Sequence, residues 1–370
     1  MKILITGDFC PIHRAANIFE GNDIFGDFNS IISECDLNIT NLECPLTEAS
    51  TPINKTGPTL KSSFKYAKFL KDSKFDLVTM ANNHIMDYGA KGIEETITAL
   101  NNNSIDYVGA GKSTDEIAII YKTIKGIKIA FVNVCENEWS TDERGGYKAN
   151  GFSEIESFYT IKKAKQNADY VVLIHHGGHE MYNLPSPRLK SVLRYFVDCG
   201  ADVVINHHTH CVGGHEVYNQ KPIFYSLGNF VFDNPNQRDS IWNYGMAVTL
   251  NFSKDNFNFT IDYFEQFNKN ASLRVVKESD LPYSIDEVNR IIQDDELLKT
   301  SFESFINEKR KLFNSFIEPV SSKYYNALKN RGLLPSLWSK KKKEYLKNLI
   351  SCESHREILQ EILKEETVNT

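Results

Sequence analysis

The sequence predicts an α/β fold with a helical C-terminal extension, on three observations. Short β-branched runs alternate with amphipathic stretches from the start to about Tyr263, several of those runs are apolar at every position, and strand signals vanish beyond about Lys277. Residues 2–6, 37–40, 77–80, 127–134, 170–174 and 203–205 read as strands. Their unbroken apolar character suits parallel strands buried on both faces rather than a half-exposed antiparallel sheet. Ile93, Ile97 and Leu100 fall at helical spacing, as do Leu189, Leu193, Phe196 and Val197, so covering helices are expected there. After Gly214 the pattern turns to hairpins: residues 216–218, a turn at Asn219 and Gln220, residues 222–225, then alternating strands over 244–264. A second, partly antiparallel sheet or edge is expected from that stretch.

Phe302, Phe305, Ile306, Phe313, Phe316 and Ile317 repeat at helical spacing, and Pro319 and Pro335 are placed to end or interrupt helices. Two further apolar stripes follow, at Tyr345, Leu346, Leu349 and Ile350 and at Ile358, Leu359, Ile362 and Leu363. The organisation expected is a main domain over 1–265 and a helical extension over 277–370. The lysines at 340–343 read as a solvated helix face, with contact to a membrane surface or an acidic partner as the alternative.

Composition excludes several classes. With 41% hydrophobic and 12% aromatic residues, 370 residues bury one large core and leave room for a smaller unit. The formal charge of -6 gives no broad attraction for a polyanion, so nucleic acid is not an expected partner. The first apolar run meets Gly7 and Asp8 too soon for a secretory segment, and no stretch approaches the roughly 20 apolar residues of a membrane span, so no transmembrane segment is expected. The 7 cysteines contain no CxxC pair, which points to neither a disulfide framework nor a zinc-thiolate cluster and fits a cytoplasmic location.

The chemistry-bearing residues gather at strand ends, where the loops of an open α/β sheet converge on one crevice. Strands run into Asp8, into Asn41 and Glu43, into Asn83 and His84, into His175, and into His207, His208 and His210. Seven of the 10 histidines lie between His175 and His215. Clustered acids repel and buried polar groups need partners, so a divalent cation is the simplest reason for so many such ends. Carboxylate, amide and imidazole donors without thiolates suit Mn, Fe or Zn, and the set is large enough for two ions sharing a carboxylate. His208 and His210 alternate along what reads as an extended segment, which would turn both to one face with Thr209 turned away. Asn83 could coordinate a metal while His84 stands free as proton donor or transition-state stabiliser.

Gly7 and Asp8; Asn41, Leu42 and Glu43; Asn82, Asn83 and His84 followed by Asp87, Tyr88 and Gly89; His175 with Glu180; His207 to His210; and the block from Lys221 to Phe230 together resemble the ordered motifs of the CapA (poly-γ-glutamate capsule synthesis) family, a branch of the calcineurin-like metallophosphoesterases. The resemblance covers roughly residues 1 to 265. It implies a four-layered metallophosphoesterase-like α/β sandwich. It also implies two divalent ions, one held by Asp8 and His210, the other by Asn83, His175 and His208, with Glu43 bridging. The superfamily has histidine where this chain has Cys10, and His13 is the candidate replacement; Glu43 stands where aspartate is usual. Glu180 is open to three roles, as ligand, as base or as a group that binds a substrate amine, against a plain ion pair with Arg188. Asn229 is expected to orient His210 or a ligand, or to cap a turn. His176, His179, His207 and His215 are expected behind the ligands or at the rim.

The resulting expectation is a metal-dependent hydrolase tied to capsule or poly-γ-glutamate metabolism, acting on a phosphoester or γ-glutamyl amide of a small molecule or polymer. The alternative is a non-catalytic assembly component that uses the metal structurally and meets capsule-synthesis partners through its helical tail.

Overall fold

The computed structural model of the chain describes residues 1–17, 23–55, 57–114, 116–317, 324, 328, 331–334 and 339–368, with the side chains of 311, 314–317 and 364–368 outside that description. Pro319, Pro335 and the side chains of Phe316 and Ile317 therefore lie outside the described residues.

Two sheets stack face to face. In the larger one, β1 (Lys2–Phe9), β2 (Leu37–Leu42), β3 (Leu77–Thr79) and β4 (Asp106–Val108) run parallel. A separate two-stranded ribbon pairs β5 (Ala110–Lys112) with β8 (Tyr147–Ala149). The second sheet holds β6 (Ile119–Ile124), β7 (Ile127–Cys135), β9 (Tyr170–His176), β10 (Val203–His207), β11 (His215–Tyr218) and β12 (Lys221–Phe224), in the order β11-β12-β10-β9-β7-β6. The chain then returns to the first sheet: β13 (Asn229–Val231) pairs in parallel with the end of β1, and β14 (Tyr244–Phe252) lies antiparallel along its start. Strands β15 (Phe257–Gln266) and β16 (Leu273–Val276) finish that sheet as an antiparallel edge. The hairpins after Gly214 thus extend the margins of both sheets rather than forming a sheet of their own. The β11–β12 hairpin turns at Asn219 and Gln220, both with positive φ, which gives the twist a two-residue hairpin needs.

Alternation along each strand divides the side chains among three apolar layers. Ile3, Ile5, Ile129, Phe131, Val172, Ile174, Val203 and Ile205 meet between the sheets. On the outer face of the first sheet, Leu4, Leu42 and Val78 pack under α1 (Asn29–Ser33), α2 (Lys65–Asp72) and α3 (Gly89–Asn102). On the outer face of the second, Val132, Val171, Leu173 and Val204 pack under α4 (Glu154–Asn167) and α5 (Pro187–Cys199). This is the four-layered α/β sandwich expected. Helix α5 starts where Ser186 caps the Leu189 amide with Pro187 in the first turn, and stops at Gly200, whose φ of 122° ends it.

The extension is helical, as its periodicity indicated. Helices α6 (Ile285–Gln293), α7 (Asp295–Ile317), α8 (Lys340–Ser351) and α9 (Glu353–Val368) follow the last strand. Phe302, Phe305, Ile306, Phe313, Leu349, Ile358 and Ile362 form their own apolar cluster, joined by Tyr182 of the main domain. Among the described residues no helix is long and apolar enough to cross a membrane.

Gly7 sets how closely β1 and β13 approach. A Cβ there would stand 2.0 Å from the Gly228 carbonyl oxygen, which accepts the Asp8 amide at 3.0 Å. Gly7→Ala is expected to lose about 1–3 kcal/mol by forcing the two backbones apart. A urea midpoint equal to that of the wild type would refute this.

Candidate metal centre

The strand ends do converge. Asp8 lies at the end of β1, Glu43 follows β2, Asn83 follows β3, His176 ends β9, and His208 and His210 follow β10; all six are buried. Glu43 with His176 and His208, and Glu43 with Asp8 and His210, each present ligand-type atoms within 4.8 Å of one another. Glu43 belongs to both groups.

His176 Nε2 lies 3.1 Å from Asn83 Oδ1, 3.1 Å from His208 Nδ1 and 3.6 Å from Glu43 Oε1. That nitrogen carries at most one proton, so at most one of the three contacts is a hydrogen bond. On the other side His210 Nε2 faces Glu43 Oε1 at 3.7 Å. Both Glu43 carboxylate oxygens are buried without a hydrogen-bond partner. Burial first, then the neighbouring Asp8 carboxylate, pushes the Glu43 carboxyl well above its ordinary range. Burial opposes ionisation of Asp8 too, but His210, His207 and His176 outweigh it and hold Asp8 low. Lone pairs from carboxylates, an amide and imidazoles aimed at one another in a buried space fit divalent cations of the Mn, Fe or Zn kind.

Neighbouring residues fix the orientation of this set. Asn41 donates to Asp8 Oδ1 at 2.8 Å and lies 3.3 Å from His176 Nδ1. Asn229 gives its amide protons to the His210 and Trp242 carbonyls, so its Oδ1 accepts from His210 Nδ1 at 3.0 Å and leaves Nε2 turned inward. His84 stands beside the cluster: Asp87 Oδ2 lies 2.7 Å from its Nδ1, and Lys55 Nζ lies 3.3 Å from the same atom and 2.6 Å from Asp87 Oδ1. Burial, then the Lys55 charge, lowers the His84 pKa. Lys55 has no motif around it, and nothing in the sequence marked it.

Several expectations require correction. The structure does not bring His175 to the cluster; His176 occupies that place. Along β9, Val172, Ile174 and His176 share the face between the sheets, whereas Val171, Leu173 and His175 face the helices. His175 Nδ1 instead donates to Asn206 Oδ1 at 2.6 Å, and burial lowers its pKa to about 4. The segment with His208 and His210 is not extended: β10 ends at His207, and both residues adopt positive φ, 90° and 56°. The strained turn still delivers both imidazoles. Glu180 does not pair with Arg188, which binds Glu136 and Glu357; it is exposed at the rim, within electrostatic reach of His84, His208 and His210. His13 is exposed in a left-handed turn, while Cys10 is buried beside Cys44, Phe232 and Trp242. His207 approaches Asp8 at 3.4 Å, His179 lies against Phe302 and Phe305, and His215 meets Asn289.

A four-layered α/β sandwich thus gathers carboxylate, amide and imidazole donors at its strand ends, a set able to hold a divalent cation. Residues 2–234 match the family described as Bacterial capsule synthesis protein PGA_cap, and the chain belongs to that family. It is 34% identical over 232 residues to the Capsule biosynthesis protein CapA of Bacillus anthracis, covering 60% of this chain and 56% of that one. It is 34% identical over 223 residues to the PGA biosynthesis protein CapA of Bacillus subtilis (strain 168), covering 57% of each. The chain thus spans a little over half the length of these relatives. A solved 5'-nucleotidase from Candida albicans SC5314 is also similar, at 14% identity and a TM-score of 0.45, over 84% of this chain and 57% of that one.

Proposed function

We propose that this protein is a metal-dependent hydrolase acting in capsule or poly-γ-glutamate metabolism, on a phosphoester or γ-glutamyl amide. The observation that carries the reading is Glu43, a buried carboxylate with no hydrogen-bond donor and imidazole nitrogens on two sides. Asp8, Glu43 and His210 would hold one divalent ion and Glu43, Asn83, His176 and His208 the other. Such ions supply Lewis acidity and a ready source of nucleophilic water. The chain's own residues do the rest. Asn41 and Asn229 hold Asp8 and His210 in place, and Asp87, which accepts from His84 Nδ1 and favours the imidazolium form, would let that form hand its Nε2 proton to the leaving group. Supporting the polymer assignment are the PGA_cap match and the names of both CapA relatives.

Metal analysis coupled to assays on phosphoesters and γ-glutamyl peptides tests this. Asp8→Asn and His208→Ala are expected to lower both bound metal and turnover, the latter by about 10²-fold or more. Unchanged metal content and turnover in both variants would refute the reading. A chain that binds metal, cleaves neither bond type, and yet is required for polymer production would instead favour an assembly component with a structural metal.

A further inference from the structure

We propose that Glu138, Cys352 and His355 form a separate zinc site at the seam where the helical extension meets the main domain. The three offer a carboxylate oxygen, a thiol sulfur and an imidazole nitrogen within 4.8 Å of one another. They come from segments far apart in sequence: Glu138 follows β7, Cys352 sits between α8 and α9, and His355 lies in the first turn of α9. Nothing in the Glu43 cluster uses any of them, and two of the three fall beyond the stretch matched by the family.

Independent features at this spot point to a cation. The Glu138 side chain is only 9% exposed, and His208 Nε2 lies 3.9 Å from its Oε1, beyond hydrogen-bond range. Among the described residues no side chain donates a hydrogen bond to this carboxylate, which faces a cavity and is open to a cation. The Cys352 thiol is buried and reaches Glu136 Oε2 only at 3.8 Å. The carboxylates of Glu138, Glu136 and Glu353 all lie within electrostatic reach of it. Glu136 is already neutralised by Arg188, which leaves Glu138 as the carboxylate available for a metal. The Asn348 side-chain amide lies 3.3 Å from His355 Nδ1, and with its oxygen turned to accept the Nδ1 proton it would fix the tautomer whose bare Nε2 can coordinate. One thiolate, one imidazole and one carboxylate favour Zn over Mg, Ca or Mn, because the sulfur is a soft donor.

Three protein ligands leave a fourth tetrahedral position open. Glu138 and His355 also line a cavity of about 230 Å³ together with Glu180, His208, Lys309 and Tyr345. His208 of the Glu43 cluster lines the same cavity, so a fourth position open to it would take water or a substrate oxygen.

The test uses the full chain, stripped with chelator and refilled with Co(II), which reports thiolate ligation through an intense near-ultraviolet charge-transfer band. Wild type is expected to show that band and to bind one metal equivalent more than Cys352→Ser. His355→Asn, at a partly exposed position, is expected to weaken metal binding at this site by about 10-fold or more while the fold, followed by circular dichroism, is retained. Glu43→Gln should leave the band in place, which separates this site from the other cluster. A wild-type chain without the band, or a band that persists in Cys352→Ser, would overturn the proposal.

Discussion

Arg188→Ala is expected to destabilise the chain by on the order of 3 kcal/mol, the low end for breaking a buried ion pair, because the guanidinium is itself 24% exposed. The expectation rests on what Arg188 joins. It pairs with Glu136, whose side chain is 3% exposed, with Glu357 at 3.2 Å, and with Ser354 Oγ at 2.8 Å. Glu136 follows β7 in the main domain, whereas Ser354 and Glu357 belong to α9, so one side chain fastens the extension to the sheet. Its removal leaves Glu136 buried with an uncompensated charge. Burial alone would push the Glu136 carboxyl up; Arg188, then His175 and Ser354, hold it well below the usual carboxylate range. A depressed folded value means a contribution present above the unfolded value of about 4.5 and lost as pH falls below it. The stability gap between wild type and Arg188→Ala should therefore shrink on acidification. Chemical denaturation from pH 7 to 3 measures it, and a gap independent of pH would sink the argument.

Glu43→Gln is expected to act with the opposite sign in the metal-free chain. Because burial and Asp8 raise the Glu43 carboxyl, the folded state retains a proton that the unfolded chain releases above about 4.5. That contribution is present at low pH and is lost as pH climbs toward the raised value. The amide variant has no such loss, so without metal it should gain on wild type by up to about 1.4 kcal/mol per pH unit above that point. Divalent metal should reverse the ranking, because only the carboxylate can bind it strongly. Parallel stability–pH curves for the two metal-free proteins would show that Glu43 is not the strained group described.

Much of this arrangement was legible in the sequence, and the failures have physical causes. The unbroken apolar runs located β1, β2, β3, β7, β9 and β10, since buried parallel strands leave such a signature. The same property hid which of His175 and His176 faces inward. A strand apolar on both sides gives no parity, and the family pattern then chose the wrong neighbour. The turn at His208 and His210 was invisible because positive φ at histidine has no sequence signal; the strain, on the order of 1–3 kcal/mol per residue, is tolerated where a site requires it. Strands β4, β5 and β8 have three residues each, like β3, but lack the unbroken apolar run that marked it. Glu138 and Lys55 carried no motif; only the folded chain brings them to His208 and His84.

The pairing of β1 has a consequence for anyone who would express the shared stretch alone. The family match stops at residue 234, but the strand lying along residues 2–5 of β1 is β14, which begins at Tyr244. A fragment trimmed to that match would turn the strand bearing Asp8 into a bare margin, its amides and carbonyls open to the next molecule. The stretch spanned by the family match thus stops short of the strand that closes this margin, and a clone ended at 234 should precipitate more readily than the full chain.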